Sequence, residues 1–131
     1  MNAPVPQGIG LNAPSFVKNA KLIAWVADMV AFYHWWGKVD ANWQRKAVHH
    51  IFEKQLPDGG WNIYPHGPAE VNATVKAYLA LKLAGIPTTD PRMLRAREMA
   101  RSLGGVPRMN TFSKLYLALI GLVTWNHVPT I

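Results

Sequence analysis

Segments with helical periodicity come in two kinds in this chain, and the two kinds alternate. From Lys18 to Trp36 the apolar residues Leu22, Val26, Met29, Tyr33 and Trp36 recur every three or four positions, the period of an α-helix. Glu70–Ala84 repeats the pattern, with Val71, Val75, Tyr78 and Leu79 on one side. A third such segment opens at Asn110 or Thr111 and carries Phe112, Leu115, Tyr116, Leu119 and Leu122. These three are nearly apolar all round. Between them lie two polar, basic helices. One is capped by Asp40, bears Arg45 and Lys46, and has the stripe Trp43, Ala47, Ile51 and Lys54. The other opens at Asp90-Pro91 and bears Arg92, Arg95, Arg97 and Arg101. A helix apolar on every side must be buried, whereas one with a charged face borders water. The alternation predicts an all-α chain of about five inner and outer helices.

The punctuation supports that reading. Gly37 ends the first helix, and Gly85 and Pro87 end the third. Leu56–Pro68 holds three prolines and three glycines, the composition of a loop. The two basic helices begin 50 residues apart, and each is followed by a Gly-Gly pair, a weak internal repeat. Helical hairpins repeated in this way build a toroid or solenoid. Five helices make two and a half hairpins, which leaves an apolar edge with no partner.

Composition narrows the function. With 50% hydrophobic residues and only 16% charged, against about 25% in an average domain, the chain is no disordered tail. Zero cysteines exclude a disulfide framework and a thiolate zinc site, and with it a prenyltransferase-type zinc toroid. Residues 1–17 carry three prolines and no basic start, unlike a signal peptide, and read as an irregular tail before the helical region 18–131. The apolar run Leu22–Trp36 is 15 residues long and contains Asp28 and His34, short of the about 20 a bilayer span needs. The expected location is cytoplasmic, with contact to a membrane surface. The net charge of +7 suits a solvated outer face or lipid headgroups. No base-reading motif accompanies it, so nucleic acid is not an expected partner.

Local chemistry is sparse. No two of the seven acids lie closer than five residues, so none form a sequence-local cluster. His49 and Glu53 sit at i, i+4 without a third ligand at a recognised spacing, which reads as an exposed ion pair rather than a metal site. Gly59-Gly60-Trp61 lacks the strand and helix of a phosphate loop. Neither a metal nor a cofactor is expected.

One motif is specific. Lys46, Ala47, Ile51, Gln55, Gly59 and Trp61 resemble the QW motif of the triterpene cyclases, departing at His50, where that family usually has an aromatic. The flanking text, from PDGGWNIYPHGP to the terminal W-x-x-VPTI, resembles a section of the second, inserted helical domain of squalene–hopene cyclases over about Val39–Ile131. The resemblance implies an incomplete α/α toroid and a role in converting squalene to hopene or hopanol. It also implies monotopic attachment on the cytoplasmic side of the membrane. In that family a DxDD aspartate protonates squalene, and aromatic side chains stabilise the resulting cations. This sequence contains no DxDD. It is therefore expected to supply scaffold and cavity wall, to be inactive alone, and to need the remainder of a cyclase or a second chain over its open edge. Tyr116 and Phe112 are the candidate cavity residues, no catalytic residue is assigned, and the QW residues are structural. The alternative is a non-catalytic helical interaction module.

Overall fold

The computed structural model describes residues 22–123 and 126. Its helices are α1 (Leu22–Trp36), α2 (Ala41–Glu53), α3 (Val71–Leu83), α4 (Pro91–Ser102) and α5 (Thr111–Leu119), with a 3₁₀ turn at Val106–Arg108. No strand occurs among the described residues. The tail 1–17, the start of the first periodic segment and the terminal VPTI lie outside them.

Helix starts follow from local capping. The Asp40 carboxylate accepts from the N–H groups of Asn42 and Trp43, and Glu70 accepts from Ala73 N–H at 2.9 Å. Asp90 accepts from Arg92 N–H at 2.8 Å beside the N1 proline, and Asn110 accepts from Ser113 N–H at 2.8 Å. Each satisfies a donor that the helix itself leaves orphaned. The fifth helix is shorter than its periodicity suggests. It ends at Leu119, and the Leu122 N–H folds back to the Leu117 carbonyl at 2.9 Å, so Leu122 lies beyond the helix.

Helix α3 is central, packed against α1 and α4, while α2 packs on α1. Its deepest positions are Ala73, Thr74, Ala77, Ala80 and Leu81. The bulkier stripe read from the sequence is less buried: Val75 is covered, but Val71, Tyr78 and Leu79 are only half-buried. Small residues let the α1 backbone approach closely, and Ile23, Val26, Ala27 and Val30 fill that side. Val75 belongs instead to a second cluster with Met109 and Leu117. Burial on two sides makes α3 an inner helix, and truncating the fully buried Leu81 to Ala would cost about 2–5 kcal/mol.

The outer helices expose their cations, among them Arg45, Lys46, Arg95, Arg97 and Arg101. The other two inner helices are covered on one face only. Trp25, Trp35 and Trp36 of α1 are exposed, as are Phe112 and Leu119 of α5. None of the described helices is long and apolar enough to cross a membrane.

Candidate functional site

The loop after α2 is a joint between three helices. Gln55 donates its side-chain N–H to the carbonyls of Gly59 at 2.9 Å and Arg92 at 3.0 Å, reaching from the end of α2 to the first turn of α4. The loop closes on itself through Leu56 N–H to Gly60 O and Gly59 N–H to Leu56 O, both 2.8 Å, and Asp58 accepts from Gly60 N–H at 2.9 Å. Gly59 has φ of +99°, and a Cβ there would lie 2.6 Å from the carbonyl carbon and oxygen of Arg95. Only glycine combines that conformation with that approach. The Arg92 guanidinium lies 3.7 Å from the centroid of the Phe52 ring, a cation–π contact between α4 and α2.

Trp61 completes the joint. Its side chain is fully buried, and its indole N–H donates to the Ile51 carbonyl at 2.7 Å, in the last turn of α2. Its backbone N–H donates to Thr74 Oγ1 at 3.1 Å and its carbonyl accepts from Glu70 N–H at 2.8 Å, which ties the loop to the start of α3. These hydrogen bonds hold the ends of α2, α3 and α4 together. Within the same motif Ala47 is buried and Lys46 exposed. His50 occupies a buried position, and desolvation first, with Lys54 second, pushes its imidazole below the ordinary value. The ring is therefore neutral near pH 7 and takes the place of the aromatic usual at that point of the motif.

His49 and Glu53 form an exposed pair at 3.5 Å. Among the described residues, no three His, Asp or Glu side chains gather into a metal site.

A polar cluster crosses the three inner helices. Lys76 Nζ of α3 lies 3.1 Å from Asp28 Oδ2 of α1, and Tyr116 of α5 donates its hydroxyl to the Asp28 carbonyl at 2.6 Å. The ammonium of Lys76 also stands 5.9 Å from the Tyr116 ring centroid. Burial raises the Asp28 carboxyl above its ordinary value, and Lys76 pulls it partly back. Burial and the Asp28 charge push the Tyr116 phenol up to about 12. Asp28 Oδ1 is buried with no hydrogen-bond partner among the described residues. The sequence reading missed this cluster: Asp28 stands out as the lone acid of an apolar helix, but nothing local names Lys76, 48 residues away, as its partner.

The two candidate cavity residues differ in surroundings. Tyr116 is half-buried against α1, whereas Phe112, one turn earlier on α5, is 85% exposed. Neither lines the apolar cleft of about 270 Å³ bounded by Val75, Tyr78, Leu79, Val106 and Leu122, with Arg97 at its wall.

Comparison with known proteins decides the family. The family model described as the squalene–hopene cyclase N-terminal domain matches residues 21–131. The chain belongs to the squalene–hopene cyclase family. It is 38% identical over 104 residues to the squalene–hopene cyclase of Zymomonas mobilis, covering 79% of this chain and 16% of that protein. With the squalene–hopene cyclase of Alicyclobacillus acidocaldarius it shares 32% over 105 residues, 80% of this chain and 17% of the relative. Mouse lanosterol synthase is 31% identical over 91 residues, 70% of this chain and 12% of that enzyme. The chain thus spans about a sixth of the length of the squalene–hopene cyclases it matches. The family match begins at residue 21, so α1, which the motif alone did not reach, is cyclase sequence too.

Proposed function

We propose that this chain supplies scaffold and part of the cavity wall of an enzyme that cyclises squalene to hopene or hopanol, and does not perform the cyclisation alone. Family membership over residues 21–131 carries the reading. The placement of the acids supports the second half. Asp40, Glu70 and Asp90 cap helices, and Asp58 holds the loop turn. Asp28 pairs with Lys76, Glu53 with His49, and Glu98 with Arg101. Protonating an unactivated alkene demands an unusually strong acid, and a carboxyl raised by burial, as Asp28 is, is a weak one. Tyr116 and Phe112 then line the cavity from α5, where an aromatic face stabilises a passing carbocation. The remainder of a cyclase, or a second chain, covers Phe112 and Leu119, and the whole sits peripherally on the cytoplasmic face of a membrane.

Two measurements test this. The purified chain incubated with squalene should release no hopene, and hopene formation would overturn the claim of inactivity. Residues 22–123 exchanged into the matching segment of the Zymomonas mobilis enzyme should give a folded chimera that still cyclises squalene. A folded chimera without product would remove the scaffold reading.

A further inference from the structure

The cleft of about 270 Å³ between α3, α4 and the 3₁₀ turn is lined by neither Phe112 nor Tyr116. Val75, Leu79, Ala100, Val106 and Leu122 make it apolar, and all five belong to the second apolar cluster. Packing therefore holds the lining in shape. Apart from Val75 these residues stay half-buried, so the fold leaves the cleft open. Its α4 wall adds two guanidinium groups. Arg97 and Arg101 stand one helical turn apart, and both are exposed. Arg97 has no hydrogen-bond or ion-pair partner among the described residues. Arg101 has only a loose contact with Glu98, 3.7 Å between two exposed side chains, and such pairs are weak. Tyr78 borders the cleft too, and its hydroxyl makes no hydrogen bond among the described residues.

An apolar hollow beside unneutralised cations selects among occupants. A second copy of the chain carries the same +7 charge and is repelled from a cationic rim. Squalene is uncharged and leaves both guanidinium groups unanswered. An aliphatic carboxylate answers the lining and the rim together. Small-molecule sites have mostly apolar walls with a few polar groups that fix orientation. A guanidinium fork matches the two oxygens of a carboxylate. Size narrows the class further: a cavity of about 150 Å³ takes a benzene ring, so this cleft takes a chain of about eight to ten carbons. We propose that the cleft between α3 and α4 binds a medium-chain fatty acid, with its chain along Leu79, Ala100 and Val106 and its carboxylate at Arg97 and Arg101. The assignment does not rest on the cyclisation reading, because it concerns a different ligand at a different place.

The test is isothermal titration calorimetry of the 131-residue chain with octanoate and, as its uncharged counterpart, 1-octanol. Octanoate should bind once per chain and about tenfold more tightly than 1-octanol. Arg97→Ala/Arg101→Ala changes exposed positions where folding is not at stake. It should remove that tenfold preference and leave 1-octanol binding unchanged. Ala100→Phe, which fills the cleft, should abolish binding of both, with circular dichroism reporting that the helices remain. Equal octanoate affinity in the parent and the double arginine variant overturns the proposal, whatever Ala100→Phe does. Octanoate binding by a folded Ala100→Phe chain overturns it as well. A parent chain that binds no octanoate overturns the site and leaves the cyclisation reading, tested by hopene release, untouched. Tighter binding of octyl phosphate than of octanoate overturns the carboxylate in favour of a phosphate-headed lipid.

Discussion

The indole N–H of Trp61 donates to the carbonyl of Ile51 at 2.7 Å, so a loop residue closes the helix that precedes it. The same side chain is fully buried among residues of α1 to α4. Ring and hydrogen bond can be separated by substitution. Trp61→Phe keeps most of the packing and loses the donor, and should cost about 1–2 kcal/mol. Trp61→Ala also leaves a cavity and should cost about 3–5 kcal/mol. Urea unfolding followed by circular dichroism measures both. Equal losses would mean that the hydrogen bond, not the ring, holds the joint.

Gly59 and Gly37 both adopt positive φ, +99° and +80°, but only Gly59 is crowded. Nothing lies within 4 Å of a Cβ built at Gly37, so Gly37→Ala should cost only the left-handed backbone penalty, about 1–2 kcal/mol. At Gly59 the new methyl would meet Arg95 backbone at 2.6 Å, and backbone of a packed helix does not move aside cheaply. Gly59→Ala should therefore cost about 3–5 kcal/mol and loosen α4 from the loop. Gln55→Ala, which removes the bonds to Gly59 and Arg92, should cost about 1–2 kcal/mol. A Gly59→Ala midpoint no lower than that of Gly37→Ala would contradict the close approach.

What the sequence made legible was whatever is encoded within about one turn of chain. Asp40, Asp90 and Asn110 cap the helices they precede because a cap and its N–H lie two or three residues apart. The motif around Gln55 and Trp61 was readable as a local pattern of residue types, but the Gln55–Gly59 contact it makes was not read from it. Partners far along the chain were not readable. Gln55 meets Arg92 across 37 residues, Lys76 meets Asp28 across 48, and Tyr116 meets Asp28 across 88. Periodicity also misjudged α3, because it ranks positions by hydrophobicity. Close helix packing selected the small face of Ala73, Ala77 and Ala80 instead.

The Tyr116 phenol, pushed up from 10.0 to about 12, makes stability depend on alkaline pH. The folded state holds this proton more tightly than the unfolded chain does. Its contribution is full below about pH 10 and disappears as the pH rises through about 12. Tyr116→Phe removes the hydroxyl bond to the Asp28 carbonyl and should cost about 1 kcal/mol at neutral pH, with a shallower stability loss in the alkaline window. Ultraviolet titration should show a phenolate appearing near 12 in the parent chain that the variant lacks. If the parent chain and the variant titrate alike above the ordinary 10.0, Tyr116 is not held against α1.

Asp28 works in the opposite chemical sense to a surface ion pair. Burial raises its carboxyl above 3.8, so folding favours the protonated acid. Its own contribution is best below that unfolded value and is lost as the pH rises through the raised one. At neutral pH the ionised group is a cost that Lys76, at 3.1 Å, offsets. Lys76→Met should therefore destabilise the chain by about 1–3 kcal/mol near pH 7, between the values for exposed and fully buried pairs. The loss should shrink as the pH falls through the raised value, where Asp28 takes up a proton instead. Asp28→Asn/Lys76→Met removes both charges and should recover most of the stability lost by Lys76→Met. With Asp28→Asn as the second single variant, the unfolding free energies of the four proteins form a double-mutant cycle. A coupling below about 0.3 kcal/mol near pH 7 would show that the pair contributes nothing and that α1 and α3 are held by their apolar faces alone.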